Sequence, residues 1–164
     1  MEEQIEKRVG DDEQESTRIN LGMKWFKFLI YFGLWAGAIL NFVTGVRMMT
    51  GNIYLSEGVN ADLVYKTFPN LQSVDVLFGL LFCAFAIFQI VTRFYLAGFK
   101  KIAPAMLSVV YIANGVFNFV YNSIVASIIS SNLGGQTIVT ILVAIVMVIV
   151  NNYYFGNRKN LFVK

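Results

Sequence analysis

The sequence predicts an all-α, antiparallel four-helix transmembrane bundle. Composition is the first reason: 57% of the 164 residues are hydrophobic and 14% are charged, where a soluble domain is about a quarter charged. Mean hydropathy is +0.62. The second reason is that uncharged, apolar stretches of about the length needed to cross a bilayer occur four times along the chain. The third is the stretch from Tyr111 to Asn122, YIANGVFNFVYN, where Asn114, Asn118 and Asn122 fall four residues apart inside a long apolar run. On a helix that spacing stacks three amides on one face, and a membrane helix turns such a face away from lipid.

Residues 1–22 form a polar, acidic tail. Glu2, Glu3, Glu6, Asp11, Asp12, Glu13 and Glu15 outnumber Lys7, Arg8 and Arg18. A secretory signal has a short basic leader, so this tail reads as an uncleaved cytoplasmic segment. It has almost nothing to bury, which predicts disorder. Residues 23–164 form the four-span membrane domain.

The first span covers about residues 25–48, with Lys24, Trp25 and Lys27 at the headgroup level. Gly33, Gly37, Asn41 and Gly45 recur every fourth residue along it, a small-residue stripe suited to close packing on a neighbouring helix or on a second copy. The polar stretch from Thr50 to Ser73 follows. Asn60 caps a short helix there, Asp62 sits in its first turn, and Pro69 ends it.

The second span is expected over residues 75–95, with Asp75 and Arg93 at its two ends reaching water. Gly79, Cys83 and Ala86 give it a second small-residue face. Arg93, Lys100 and Lys101, interleaved with Phe94, Tyr95 and Phe99, make a connector suited to anionic headgroups. The third span covers 104–129, opened by Pro104 in its first turn. The link SSNLGGQ makes the third and fourth spans antiparallel neighbours. The fourth covers 137–155. Its Ile-, Val- and Leu-rich core suits lipid, and Tyr153 and Tyr154 suit the interface.

Orientation follows from the basic residues. Four spans place Lys7, Arg8, Arg18, Lys24, Lys27, Arg93, Lys100, Lys101, Arg158, Lys159 and Lys164 on one side, and Arg47 and Lys66 on the other. Eleven against two accounts for all 13 basic residues, and it predicts that both termini are cytoplasmic in a plasma-membrane protein.

Three polar sets are candidates for function. Asn41, Asn114, Asn118 and Asn122 can share a layer in the outer half if the first span's stripe faces the third span. Such a layer either bonds helix to helix, the simpler account, or lines a polar pocket open to the outside. Arg47 and Asp75 either pair at the outer ends of spans one and two or reach headgroups separately. Gln89, Asn151 and Asn152 form an inner polar set that bonds spans two and four.

Catalysis finds no support. Histidine is absent and Cys83 is the only cysteine, which excludes a Ser–His–Asp triad, an internal disulfide and a Cys-based metal site. HExxH and the P-loop pattern are missing. Ser108, Ser127 and Ser130 have no partner base. Cys83 lies among Leu81, Phe82, Phe85 and Ile87, where packing is the expected role. No carboxylate is expected at membrane depth, which argues against a proton-coupled transporter. No cofactor is implied. The aromatics lie apart from the basic residues, so no nucleic-acid platform is visible.

The phrases MKWFKFLIYFGLWAGAILN, SVDVLFGLLF, TRFYLAGFKK and NNYYFGNRKNLF carry a resemblance. With them, residues 23–164 are similar to a group of bacterial four-span integral membrane proteins without assigned activity. Some of those carry a Cys-rich zinc ribbon before the first helix. Here residues 1–20 have no cysteine, so no zinc is implied. The expected function is that of a non-enzymatic membrane interaction or scaffold protein. The alternative is a small permease or channel-like protein using the outer Asn layer.

Overall fold

The computed structural model describes residues 23–130 and 135–163. The acidic tail, and the part of the third turn up to Gly134, lie outside the described residues. Every regular element among those described is helical. Helix α1 spans Lys24–Met49, α2 Ala61–Thr67, α3 Pro69–Ala97, α4 Ala103–Ile129 and α5 Gly135–Gly156, with 3-10 turns at Tyr54–Glu57 and Lys159–Leu161. Helices α1, α3, α4 and α5 are each long and apolar enough to cross a bilayer. The chain is thus an all-α four-helix bundle of the membrane-embedded kind.

The short helix begins as expected: Asn60 has extended backbone, and its side chain accepts from the Asp62 N–H at 2.8 Å. Pro69 does more than end it. Phe68, at φ −129°, is a one-residue break, and Pro69 then opens α3 at its first position. The second span therefore starts six residues before the expected Asp75. Proline lacks the N–H that a first turn leaves unused, so it starts a helix as readily as it stops one. At 29 residues, α3 is about 43 Å long, and its first turns reach beyond a ~30 Å hydrocarbon core. Gly51, at φ +72°, turns the chain out of α1; a Cβ there would lie 2.7 Å from the Ala61 Cβ, so glycine also seats α2 against the turn.

Helix α1 packs chiefly on α3, α3 on α4, and α4 on α5. Two ends can be distinguished: a cap end bearing residues 50–68, and a terminal end where α1 begins and α5 finishes. At the terminal end α1 also meets α5, through Trp25 Nε1 donating to Asn151 Oδ1 (3.1 Å) and the Phe26 N–H donating to the Tyr154 hydroxyl (3.3 Å). The larger apolar core lies there, with Phe26, Leu29, Ile30, Leu34, Phe85, Leu107 and Phe155 all buried. A smaller core of Met48, Phe78, Phe82 and Tyr121 lies toward the cap.

The small-residue stripe of α1 faces α3, not α4. A Cβ on Gly45 would lie 2.6 Å from the Gly79 carbonyl oxygen, and one on Gly79 would lie 2.7 Å from the Gly45 carbonyl oxygen. The two backbones cross in contact, as small residues permit. The face of Gly79, Cys83 and Ala86 is therefore the partner of the first stripe. Gly33 leaves that stripe: a Cβ there would meet only Leu29 and Phe28 of its own helix. A π-helical turn at Leu29–Gly33 is the reason, because its wider winding rotates what precedes it off the α-helical register.

Candidate functional site: a polar chamber beside a buried carboxylate

Toward the cap end, a chamber of about 300 Å³ lies between α1 and α5, walled by α3 and α4. Thr44 comes from α1, Asn118, Tyr121 and Asn122 from α4, and Thr137 and Thr140 from α5, with Met48, Ile53 and Phe82 completing it. These polar residues converge because α4 carries amides at a helical period and α5 opens with threonines before its aliphatic run.

The amides have a defined polarity. Asn118 Nδ2 donates to the Asn114 backbone carbonyl and to Asn114 Oδ1, both at 2.8 Å. Asn122 Nδ2 donates to the Asn118 carbonyl at 2.7 Å. A carbonyl only accepts, so the atom facing it must be the amide nitrogen. That choice leaves Oδ1 of both Asn118 and Asn122 without a donor among the described residues. Two residues of the chamber wall thus present acceptors.

Behind Tyr121 lies the feature that sequence reasoning missed. Asp75 is fully buried, and its carboxylate takes three tyrosine hydroxyls. Tyr54 donates to Oδ2 at 2.6 Å, Tyr65 to Oδ2 at 3.0 Å, and Tyr121 to Oδ1 at 2.9 Å. These donors come from the 3-10 turn, from α2 and from α4, so one side chain of α3 ties the cap to the bundle. Burial first, and the bond to Asp75 second, hold the Tyr54 and Tyr65 phenols well above their ordinary value. Both stay protonated and able to donate.

The expected Arg47–Asp75 set is therefore corrected. Asp75 neither pairs with Arg47 nor reaches headgroups; Arg47 donates to the Asn52 carbonyl at 3.4 Å. That expectation came from starting the second span at Asp75, which puts on its end a residue that sits in its second turn. The usable signal was Pro69 opening a helix, as Pro104 does.

The four-amide layer also divides. Asn41 Nδ2 donates to Gln89 Oε1 at 3.1 Å, and both residues are buried. Gly37 makes room, since a Cβ there would lie 3.3 Å from Gln89 Nε2. Asn41 thus joins α3, because the stripe that carries it faces α3. Asn114, Asn118 and Asn122 remain together on α4. The inner set separates likewise: Gln89 bonds α1, Asn151 accepts from Trp25, and Asn152 Oδ1 accepts from Ser108 Oγ at 2.9 Å.

No family model, curated protein or solved structure matches this chain.

Proposed function

We propose that this membrane-embedded chain is a non-enzymatic binding protein whose cap-end chamber takes a small ligand rich in hydrogen-bond donors, such as an amine or ammonium cation. The carbonyl oxygens of Asn118 and Asn122, which take no donor among the described residues, carry this reading. Both residues are half-buried, and an acceptor lining a cavity gains from a ligand that supplies a donor. The carboxylate of Asp75, one side chain behind the wall, adds negative potential. At about 30 Å³ per molecule of liquid water, the chamber has room for roughly ten waters, so the ligand is small.

The packed core at the terminal end favours binding over conduction, because a through-path would have to cross Phe26, Leu34, Phe85 and Leu107. The segregation of basic residues supports cytoplasmic termini in a plasma membrane, with the chamber toward the outside. The absence of histidine supports the non-enzymatic assignment. The four-span group of bacterial proteins named above remains the proposed kinship.

The test is a thermal-shift and equilibrium-dialysis panel on the full chain in nanodiscs, comparing small amines with carboxylates of equal size. Amines are expected to bind and stabilise, and Asn122→Leu, checked for a native circular-dichroism spectrum, is expected to lose that binding. A panel in which no amine binds, or in which the variant binds as the parent does, ends the proposal.

A second reading, association with other membrane proteins or with a second copy, is favoured by one observation. The α4–α5 face bears a wholly apolar groove of about 470 Å³, floored by Gly115 and Ala144 and walled by Ile112, Phe119, Ile141 and Ile145. A partner helix seated there would be lost on Gly115→Leu, read by cross-linking in the native membrane.

A further inference from the structure

The terminal end holds a second concavity whose chemistry is the reverse of the chamber's. It has a volume of about 370 Å³ and lies between the start of α4 and the end of α5. Pro104, Ala105, Phe155 and Phe162 give it apolar walls, and Lys101, Lys159 and Asn152 supply its long polar side chains.

All three polar side chains are donors here. The lysines can only donate. Asn152 has its Oδ1 taken by Ser108 at 2.9 Å, which leaves its Nδ2 free to donate among the described residues. No carboxylate lines the pocket among the described residues. Asp62 and Asp75 belong to the opposite end of the bundle.

The two lysines come from segments far apart in sequence and are held across one space by an anchored aromatic. After α5 the chain makes the 3-10 turn Lys159–Leu161 and returns Phe162 into the core. The Phe162 ring lies 5.4 Å from Phe155, 5.6 Å from Phe99 and 6.1 Å from Phe26, centroid to centroid. Phe99 immediately precedes Lys100 and Lys101, so this aromatic cluster fixes both lysine-bearing segments. Arg158 is engaged elsewhere, over the Tyr154 ring at 3.7 Å and donating to the Tyr154 carbonyl at 3.0 Å. Lys101 and Lys159 remain as the pocket's cations.

From this we infer a binding site for one anionic phospholipid, with its phosphate between Lys101 and Lys159, an ester oxygen within reach of Asn152, and an acyl chain along Phe155 and Pro104. The apolar walls separate this occupant from a free phosphate, which has nothing to place there. They also separate it from the chain's own acidic tail, whose residues 11–15 are Asp, Asp, Glu, Gln and Glu.

The experiment titrates the full chain in non-ionic detergent with dioleoyl phosphatidylglycerol or dioleoyl phosphatidylcholine and counts bound lipid by native mass spectrometry. Phosphatidylglycerol is expected to bind more tightly than phosphatidylcholine. Each of Lys101→Gln and Lys159→Gln is expected to weaken it about five-fold, and the double variant about thirty-fold, from about 1 kcal/mol per basic residue at an anionic surface. Lys66→Gln at the cap is expected to change nothing. Lys101→Arg with Lys159→Arg should keep the preference, which separates loss of charge from loss of fold. Equal binding of the two lipids would overturn the inference, as would a double Gln variant that binds like the parent. Glycerol phosphate competing as well as the intact lipid would overturn it too, giving the site to a free phosphate. Several-fold tighter lipid binding on neutralising Asp11, Asp12 and Glu13 would give the pocket to the acidic tail.

Discussion

Removal of single hydroxyls around Asp75 should have unequal effects, and the inequality follows from the geometry. Oδ1 has one donor, Tyr121 at 2.9 Å, whereas Oδ2 has two, Tyr54 at 2.6 Å and Tyr65 at 3.0 Å. Tyr121→Phe keeps the ring, and so its contact with Phe78 at 5.4 Å. It leaves one oxygen of a fully buried carboxylate without a donor among the described residues. An unsatisfied buried acceptor costs about 1–3 kcal/mol, and more where it is charged. Tyr65→Phe removes the longer of two bonds to an oxygen that keeps its shorter one, so only a net hydrogen bond of about 0.5–1.5 kcal/mol is lost. The difference between the variants is therefore expected to be about 1–2 kcal/mol, with Tyr121→Phe the more destabilised. Denaturation of each variant in mixed micelles, scored against the parent, measures it, and the hydration regained by the lost hydroxyl largely cancels between them. A Tyr65→Phe variant as destabilised as Tyr121→Phe, or more so, would refute the claim that these bonds set the strength of the cap.

Three further outcomes can be checked independently. Gly45→Leu places atoms where the Gly79 carbonyl and Cys83 Sγ already stand, 2.6 and 2.7 Å from a Cβ. It should destabilise by about 1–3 kcal/mol or more, whereas Gly33→Leu, with no neighbouring helix against it, should be several-fold milder in the same assay. Tyr54 and Tyr65 have folded-state values raised above 10.0, so their contribution is complete below about pH 10 and is lost as the pH rises beyond it. Subtracting the 295 nm titration of a Tyr54→Phe, Tyr65→Phe variant from that of the parent should leave no phenolate signal near about pH 10, and a full signal there would contradict the clamp. For the proposed orientation, Val59→Cys and Asn160→Cys in a Cys83→Ala background should label from outside and from inside respectively with a membrane-impermeant maleimide. The reverse pattern would invert it.

The bundle was legible in the sequence because hydrophobic length is a property of each segment by itself. Four apolar runs, the Asn60 cap and Pro104 at a helix start are local signals, and each appears where local physics puts it. Helix pairing is a relation between segments, and there periodicity underdetermines the answer. The α1 stripe carries the same small residues whether it meets α3 or α4. What decides is Gly79, whose missing Cβ matches that of Gly45 across the crossing. Asn41 therefore joins Gln89 on α3 and not the amides of α4. The π-turn that displaces Gly33 leaves no mark in a residue pattern, because the four-residue spacing persists through it.

The carboxylate cluster shows where such reasoning stops and why. Asp75 draws donors from positions 54, 65 and 121, and no spacing rule links those numbers. They meet because a one-residue break at Phe68 folds α2 back along the first turns of α3, and because α4 follows α3 as its packed neighbour. The chamber has the same origin. Helices α1 and α5 are joined at the terminal end by Trp25–Asn151 and Phe26–Tyr154, while the close contact of α1 at the cap end is with α3, through Gly45 and Gly79. With α1 held on α3 there, space is left on the side toward α5, and the side chains that border it include Asn and Thr residues that a lipid-facing helix would not carry. The amides of α4 thus mark a cavity because the glycines of α1 are engaged elsewhere, and that dependence makes Gly45→Leu a test of the chamber as well as of the crossing.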